Sequence, residues 1–290
     1  MKRMLWRLLG LFVPPITRRI DFPGKGRLRS WVQVPGSGTL EVRLSGATFR
    51  LDMHEWMYQG YYFGLFDQLE LRIIRRLLVR GGDLVDVGAS IGLYTINAAK
   101  SLRGAGQVLA LEPNPKQRAR LEENLELNHC ANVIVSGLAA AAEPGRVNLY
   151  VPRDGDSAWA SLSHDRVRAS VWGDGADVLE IEAATLDDIV AQHGVQPAVV
   201  KIDVEGLELD VLRGAGELLN RRPALLVEIG EENLQQIRVE LGRRGYLIAR
   251  AGSRRLERWP ERPTTSNAFF VQHEQLAQLR RRERRVFTPA

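Results

Sequence analysis

Three carboxylates crowd into six positions of Val199-Val-Lys-Ile-Asp-Val-Glu-Gly-Leu-Glu208: Asp203, Glu205 and Glu208, with Lys201 just ahead of them. They follow an apolar, β-branched run, so they stand where a buried strand passes into a helix. Like charges this close repel, and such clusters mark places where a base, a cation or a sulfonium is held. A structural role is compatible with that: Asp203 as a helix cap, Glu205 and Glu208 as first-turn acids complementing the helix dipole. Another acid, Glu228, ends the next apolar run, Ala224-Leu-Leu-Val-Glu228. Earlier in the chain Glu112 closes Val108-Leu-Ala-Leu-Glu112, beyond a Gly-broken turn in Asp83-Leu-Val-Asp-Val-Gly-Ala-Ser-Ile-Gly92. An acid at the end of the second strand after such a turn can accept hydrogen bonds from both hydroxyls of a ribose, or can cap the following helix. The turn itself lets a ligand approach the backbone closely and is expected to aim helix-start N–H groups at it.

The elements that must position these groups alternate. Helices are predicted over 67–79, 91–102, 115–127, 185–192, 207–219 and 231–243. Strands are predicted over 83–87, 107–111, 132–136, 146–151, 198–202, 224–229, 245–249 and 267–272. Strand–helix alternation means an α/β domain with a mostly parallel sheet and helices on both faces, with ligands bound outside the C-terminal strand ends. Ahead of it, Ser30–Val34, Thr39–Leu44 and Ala47–Asp52 alternate in polarity around Gly-rich turns, a small β extension. An aromatic stretch, Gln59–Phe66, separates the two. Pro152 to Val178 lacks a regular pattern and holds Trp159, His164, Asp165 and Trp172. It reads as a recognition loop or as an excursion packed on the body. The expected organisation is a basic and apolar segment over 1–26, the β extension over 27–66, the main domain over 67–272 and a basic tail helix over 273–290.

The overall charge of +5 is unevenly spread: residues 1–30 carry a net +7 and residues 250–290 a net +6, so the body between them carries −8. Basic ends suit phosphate, anionic lipid or acidic glycan, or are simply solvated. An acidic body repels a nucleic-acid backbone. The single cysteine, Cys130, leaves no intramolecular disulfide and fits a reducing, cytoplasmic setting. The N-terminal apolar run is interrupted by Arg7, ends at Pro14-Pro15 and is too short to span a bilayer. An interfacial helix over residues 1–20, touching the inner membrane face through Trp6, Leu9 and Phe12, is the remaining expectation.

Asp86-Val-Gly-Ala-Ser-Ile-Gly92, Leu111-Glu-Pro-Asn-Pro115, Lys201-Ile-Asp-Val-Glu-Gly206 with Leu212-Arg-Gly-Ala215, and Leu226-Val-Glu-Ile229 together resemble the FkbM family of S-adenosylmethionine-dependent methyltransferases. The resemblance runs from roughly Leu51 to Val271. It implies a Rossmann-like class I methyltransferase sheet of seven strands with the last antiparallel, and methyl transfer to a hydroxyl, commonly of a sugar or natural product. It implies that Asp86, Gly88, Ser90 and Gly92 surround the methionine end of the cofactor, that Glu112 holds the ribose, and that Asn114 lies near the adenosine. Ser90 stands where the family usually has Asn. The loop Gly137-Leu-Ala-Ala-Ala141 has no acid, so an adenine contact there, at Ala139, would be backbone or apolar. Independently, Gly88-x-x-x-Gly92 is not the Gly-x-Gly-x-x-Gly of NAD sites.

A sugar hydroxyl is poorly acidic, so a general base within hydrogen-bond reach helps its transfer. The candidates are Asp203, then Glu205, then His164. No His pair has helical ligand spacing, so no metal site is assigned; the rival is a hard, oxygen-bound ion such as Mg²⁺ on Asp203, Glu205 or Glu228. The expected partner is a carbohydrate or small-molecule hydroxyl acceptor, with Trp159 and Trp172 offering flat faces to sugar rings. Two other functions stay in view: a nucleic-acid methyltransferase, which the Arg280–Arg285 tail suits but Asp203-Val-Glu-Gly206 does not, and a non-catalytic cofactor-fold binder. The sequence says nothing of oligomeric state.

Overall fold

The computed structural model describes residues 38–277 and 279, apart from 66, 80, 154–174, 231, 253–254 and 261–265. The expectations placed on residues 1–26, on Ser30–Val34, on Trp159, His164, Asp165 and Trp172, and on the Arg280–Arg285 tail lie outside the described residues.

The chain enters through a hairpin, β1 (Thr39–Leu44) and β2 (Ala47–Asp52), closed by the expected Ser45-Gly46 turn with both residues at positive φ. Helices α1 (Trp56–Phe63) and α2 (Gln68–Leu78) follow. The domain then alternates: β3 (Asp83–Val87), α3 (Leu93–Leu102), β4 (Val108–Leu111), α4 (Pro115–Leu127) and β5 (Val133–Ser136). Next come β6 (Ala139–Ala141), β7 (Gly145–Pro152), β8 (Ala176–Thr185), α5 (Leu186–His193), β9 (Pro197–Ile202), α6 (Glu208–Arg213), α7 (Gly216–Asn220) and β10 (Ala224–Glu228). The chain closes with α8 (Leu234–Arg243), β11 (Leu247–Ala251), β12 (Leu256–Arg258) and β13 (Asn267–Val271).

The main sheet has the order β12-β11-β13-β10-β9-β3-β4-β5. Strands β5, β4, β3, β9 and β10 are parallel, and β13 runs antiparallel between β10 and β11. This is the sheet the class I methyltransferase resemblance implies, with short β12 added at one edge as an eighth strand. Its central strands are buried on both faces, which is why they read as short, mostly apolar runs, with Asp86 of β3 and Lys201 of β9 as buried exceptions that face each other. Leu84, Val108, Val199 and Leu226 face one core with α2, α3, α4 and the hairpin; Val85, Leu109, Val200 and Leu225 face a second core with α5 to α8. The hairpin has no core of its own. Phe49 and Leu51 are fully buried within the first core, and its edge is tied to α4 by Arg50 N–H to Asn124 Oδ1 at 2.8 Å and Thr48 N–H to Asn128 Oδ1 at 2.9 Å.

From the central strand β3 the chain fills one side of the sheet with β4 and β5, then returns to pair β9 on the other side of β3. The crevice at this switch, above Val87, Leu111 and Ile202, is where a doubly wound sheet takes its ligand.

Three local expectations change. The span 152–178 does not stay irregular to its end: β8 begins at Ala176 and pairs with β7 and β6 in a separate three-stranded sheet. The predicted helix 207–219 is broken into α6 and α7 at Gly214, whose carbonyl accepts from Asp187 N–H at 3.0 Å and whose missing Cβ, which would lie 2.1 Å from the Ala141 carbonyl oxygen, lets the two backbones touch. The aromatic stretch forms α1, which ends on Gly64 in the left-handed conformation.

Candidate functional site

The turn after β3 is shaped by close approach. Gly88 has φ 77°, and a Cβ there would fall 1.9 Å from the Asp203 carbonyl oxygen, so only glycine lets the ends of β3 and β9 meet. Asp203 N–H donates to Val87 O across this join at 3.0 Å. Ser90 also adopts positive φ, 50°. The expectation that this turn aims N–H groups at a ligand is corrected in part. Gly88 and Ala89 both donate to Leu111 O at 3.0 Å, Gly92 donates to Ala89 O at 2.9 Å, and Ser90 donates to Glu112 Oε2 at 2.7 Å. The turn contributes space and shape, and its donors hold Glu112 in place.

Glu112 extends from the end of β4, only 6% exposed, accepting from Ser90 N–H and, at 2.9 Å, from Asn114 N–H. Burial pushes its carboxyl up to about 7, against the pull of those two donors. Each oxygen keeps acceptor capacity beyond these bonds.

Beneath the turn, Lys201 reaches from β9 to Gly88 O at 2.7 Å, with Asp203 Oδ2 at 3.3 Å, Asp86 Oδ1 at 3.5 Å and the Tyr94 ring centre at 5.3 Å. Burial alone would lower its ammonium; the surrounding Asp203, Asp86 and Asp67 outweigh that and raise it. Asp86 is fully buried, accepts from Thr95 Oγ1 at 2.6 Å, and is pushed up by desolvation. It anchors Lys201 and α3 from behind the turn.

Beyond Asp203 the acids converge: one carboxylate oxygen each from Asp203, Glu205 and Glu228 lies within 4.8 Å of the others. Glu228 is pushed up to about 10, first by the Asp203 charge and then by burial, and Ser266 Oγ donates to its Oε1 at 2.8 Å. Proximity to Asp203 therefore favours a proton held within this pair of carboxyls, with the Lys201 ammonium 3.3 Å from Asp203. The same oxygens are close enough to share a hard divalent ion.

Of these groups Glu112, Asp203 and Glu205 border one cleft with about 810 Å³ of empty space, part of it open to solvent, a size suited to a small molecule. It brings together Gly88, Ser90, Glu112, Ala139, Asp203 and Glu205 from the predicted set. Asp86, Gly92 and Asn114 stand outside the lining. Gly92 is a packing glycine, since a Cβ there would meet Leu121 Cδ1 at 2.5 Å, and the Asn114 side chain caps α4 by accepting from Lys116 N–H at 3.1 Å. His164 lies outside the described residues. Met57 and Tyr61 from α1, Gln117 from α4 and Leu149 from β7 complete the walls. Tyr61 lies in the aromatic stretch, Gln117 in the predicted helix 115–127 and Leu149 in the predicted strand 146–151, but nothing in those patterns points them at a shared cleft.

The motif strands and this cleft fall within one recognisable unit: the methyltransferase FkbM domain matches residues 86–248, more than half of the chain. The chain belongs to the FkbM methyltransferase family. Among curated relatives, Methyltransferase sdnD of Sordaria araneosa is 28% identical over 159 residues, 46% of this chain and 60% of that protein. Methyltransferase 1 of Beauveria bassiana is 26% identical over 145 residues, 45% of this chain and 57% of that one. The 2-O-methyltransferase NoeI of Sinorhizobium fredii is 24% identical over 161 residues, covering 53% and 65%. The matches thus span less than two thirds of these relatives' lengths. Among solved structures, M. jannaschii TYW2 in complex with AdoMet overlays with a TM-score of 0.43 at 18% identity, covering 83% of this chain and 90% of that one. Among the described residues of this FkbM-family chain, no helix is long and apolar enough to cross a membrane.

Proposed function

We propose that this FkbM-family chain is an S-adenosylmethionine-dependent O-methyltransferase acting on a hydroxyl of a sugar, glycan or glycosylated natural product. The observation that carries the reading is the pairing, in one cleft, of a buried acceptor carboxylate, Glu112, with a second carboxylate, Asp203, held beside an ammonium. The first suits ribose hydroxyls. The second suits a proton leaving an acceptor hydroxyl.

When bound, S-adenosylmethionine supplies a methyl group already activated on a sulfonium. The chain's own tasks are then to hold, orient and accept a proton. Glu112 accepts from the ribose, Gly88 and Ser90 shape the methionine end, and Ala139 with its neighbours forms an apolar seat for adenine. Asp86, Gly92 and Asn114 support that surface from behind, through Lys201, Leu121 and the α4 cap. Asp203 takes the acceptor's proton, with the Lys201 ammonium 3.3 Å away. Glu205 is the second candidate base and His164 the third. The 2-O-methyltransferase name of one relative and the Trp159/Trp172 segment favour a carbohydrate acceptor. The acid-rich rim disfavours nucleic acid.

Asp203→Asn should keep S-adenosylmethionine affinity and lose turnover, read as a mass gain of one methylene on candidate glycosides. Retained turnover would overturn the base assignment. The Asp203–Glu205–Glu228 cluster favours one rival, a Mg²⁺-assisted transfer. Chelation with EDTA separates the two, since a metal-free base predicts unchanged turnover. Contact of residues 1–20 with a membrane surface is a separate proposal, refuted if their removal leaves liposome sedimentation unchanged.

A further inference from the structure

Gln117 is a buried polar side chain, 2% exposed, that nevertheless lines the cleft beside Glu112 and Pro113. It lies in the first turn of α4, and its amide is oriented from behind. Arg120, one turn further along α4, pairs with Glu55 and, at 3.0 Å, with Asp52. The same guanidinium reaches the Tyr58 oxygen at 3.4 Å and lies 5.6 Å from that ring's centre. A guanidinium can only donate. The Tyr58 oxygen therefore accepts from Arg120, and its one proton goes to Gln117 Oε1 at 2.6 Å. Burial holds the Tyr58 phenol well above its ordinary range, so that proton stays in place. The polarity of the chain from Glu55 through Arg120 and Tyr58 is thus set by the one member that cannot accept. It assigns the oxygen of the Gln117 amide to Tyr58 and turns the NH₂ end away from it.

We propose that Gln117 is a second polar reader of the cofactor's nucleoside, donating from its amide to an acceptor atom of the ribose or base, with Tyr58 and Arg120 as positioning residues. The inference rests on the S-adenosylmethionine reading of the cleft. Its chemistry complements Glu112: a carboxylate reads hydroxyl hydrogens, and an amide N–H₂ beside it reads ring nitrogen or ring oxygen. It adds a side-chain contact to a nucleoside site that the loop Gly137–Ala141 lines only with apolar and backbone groups. It also assigns a task to the junction of β2 and α1, which carries Asp52, Glu55 and Tyr58.

The test is calorimetry on the full chain with S-adenosylhomocysteine and with methylthioadenosine, which keeps the nucleoside but lacks the amino acid. Gln117→Met, matched in volume and helix preference, should weaken both ligands about ten-fold, the worth of one hydrogen bond to a desolvated acceptor. Tyr58→Phe should weaken them less. The double variant should be no weaker than Gln117→Met alone, because Tyr58 acts through the amide. Additive losses would overturn the positioning role. If Gln117→Met fails to fold, Tyr58→Phe, which removes a single oxygen, still reports: unchanged affinity for both ligands refutes the chain of contacts. Wild-type protein that binds neither ligand refutes the underlying cofactor reading. Wild-type binding that Glu112→Ala weakens and Gln117→Met does not refutes the Gln117 assignment alone.

Discussion

Lowering the pH from about 8 to about 6 is expected to weaken S-adenosylmethionine binding about ten-fold through Glu112. The Glu112 carboxyl is pushed up to about 7 by burial. With Ser90 and Asn114 N–H groups already donating to its two oxygens, only the ionised form keeps enough acceptor capacity for two ribose hydroxyls. A proton on either oxygen converts one acceptor into a donor. At about pH 6 roughly one-tenth of the groups are ionised, and at about pH 8 roughly nine-tenths are, so affinity should rise across that interval and then level off. The folding linkage has the opposite sign. Because the native carboxyl sits above its ordinary value of 4.5, the native state keeps a proton that the unfolded chain releases between about 4.5 and 7. Stability of the ligand-free protein therefore falls as pH rises through that window, by on the order of 3 kcal/mol at most. Calorimetry across this range, in two buffers of different ionisation enthalpy, reads affinity and proton release together. Asp67, also pushed up to about 7 by burial, is outside the cleft lining, and Glu112→Gln separates its contribution. That variant should bind weakly at every pH with a flat profile. A flat wild-type profile, or an equal slope in Glu112→Gln, refutes the assignment.

Gly88→Ala should abolish cofactor binding while leaving the far-ultraviolet circular dichroism intact, since its methyl would collide with the Asp203 carbonyl at 1.9 Å and part β3 from β9; binding within about three-fold of wild type would contradict this. Lys201→Met leaves Asp86 and Asp203 without their shared cation and should cost about 3–5 kcal/mol in urea unfolding at neutral pH. The deficit should shrink as pH falls, because buried Asp86, already raised, then takes up a proton; a pH-independent deficit would point to lost packing instead. Glu228→Gln keeps a donor facing Asp203 and should preserve turnover, whereas a metal-assisted reaction predicts its loss. Phe49→Ala, at a fully buried hairpin position, should cost about 3–5 kcal/mol of stability, and a cost under about 1 kcal/mol would mean that the hairpin folds apart from the main core.

The parts of the fold legible in the sequence are those whose burial leaves one solution. Strands β3, β4, β9 and β10 have both faces covered, so each is a short, mostly apolar run, and the Gly-rich or acidic turn that follows marks it as a strand end. Helix α4 announces its start with Asn114 and Pro115, a cap and a first-turn proline. Strand β8 is harder to see because much of it is exposed and charged. Its Glu180 gains a partner only when Arg146 of β7 arrives from far along the chain, and local composition around Asp177, Glu180 and Glu182 resembles a loop. The break between α6 and α7 falls at Gly214, whose carbonyl serves Asp187 N–H and whose missing side chain admits the Ala141 carbonyl. Nothing in residues 207–219 themselves announces that contact.

The site divides along the same line. Glu112 and Asp203 sit at strand ends within contiguous motifs, where type and spacing already suggest a nucleoside and a base. Even so, spacing misjudges the glycine turn: its N–H groups serve Leu111 O and the Glu112 carboxylate, because β4 ends beside the turn and a buried carboxylate takes the nearest donors. The rest of the lining includes Met57, Tyr61, Gln117 and Leu149, which share a cleft only through the sheet order and the packing of α1 and α4, and Glu228 stands just outside it near Asp203. Their roles depend on relations between elements: a phenol whose proton is directed by an arginine on another helix, a glutamate pushed toward protonation by an aspartate from the adjacent strand. Such properties belong to pairs of residues and arise only on folding. That is why a single chain of letters exposes the strand-end carboxylates of this cleft and conceals most of the walls around them.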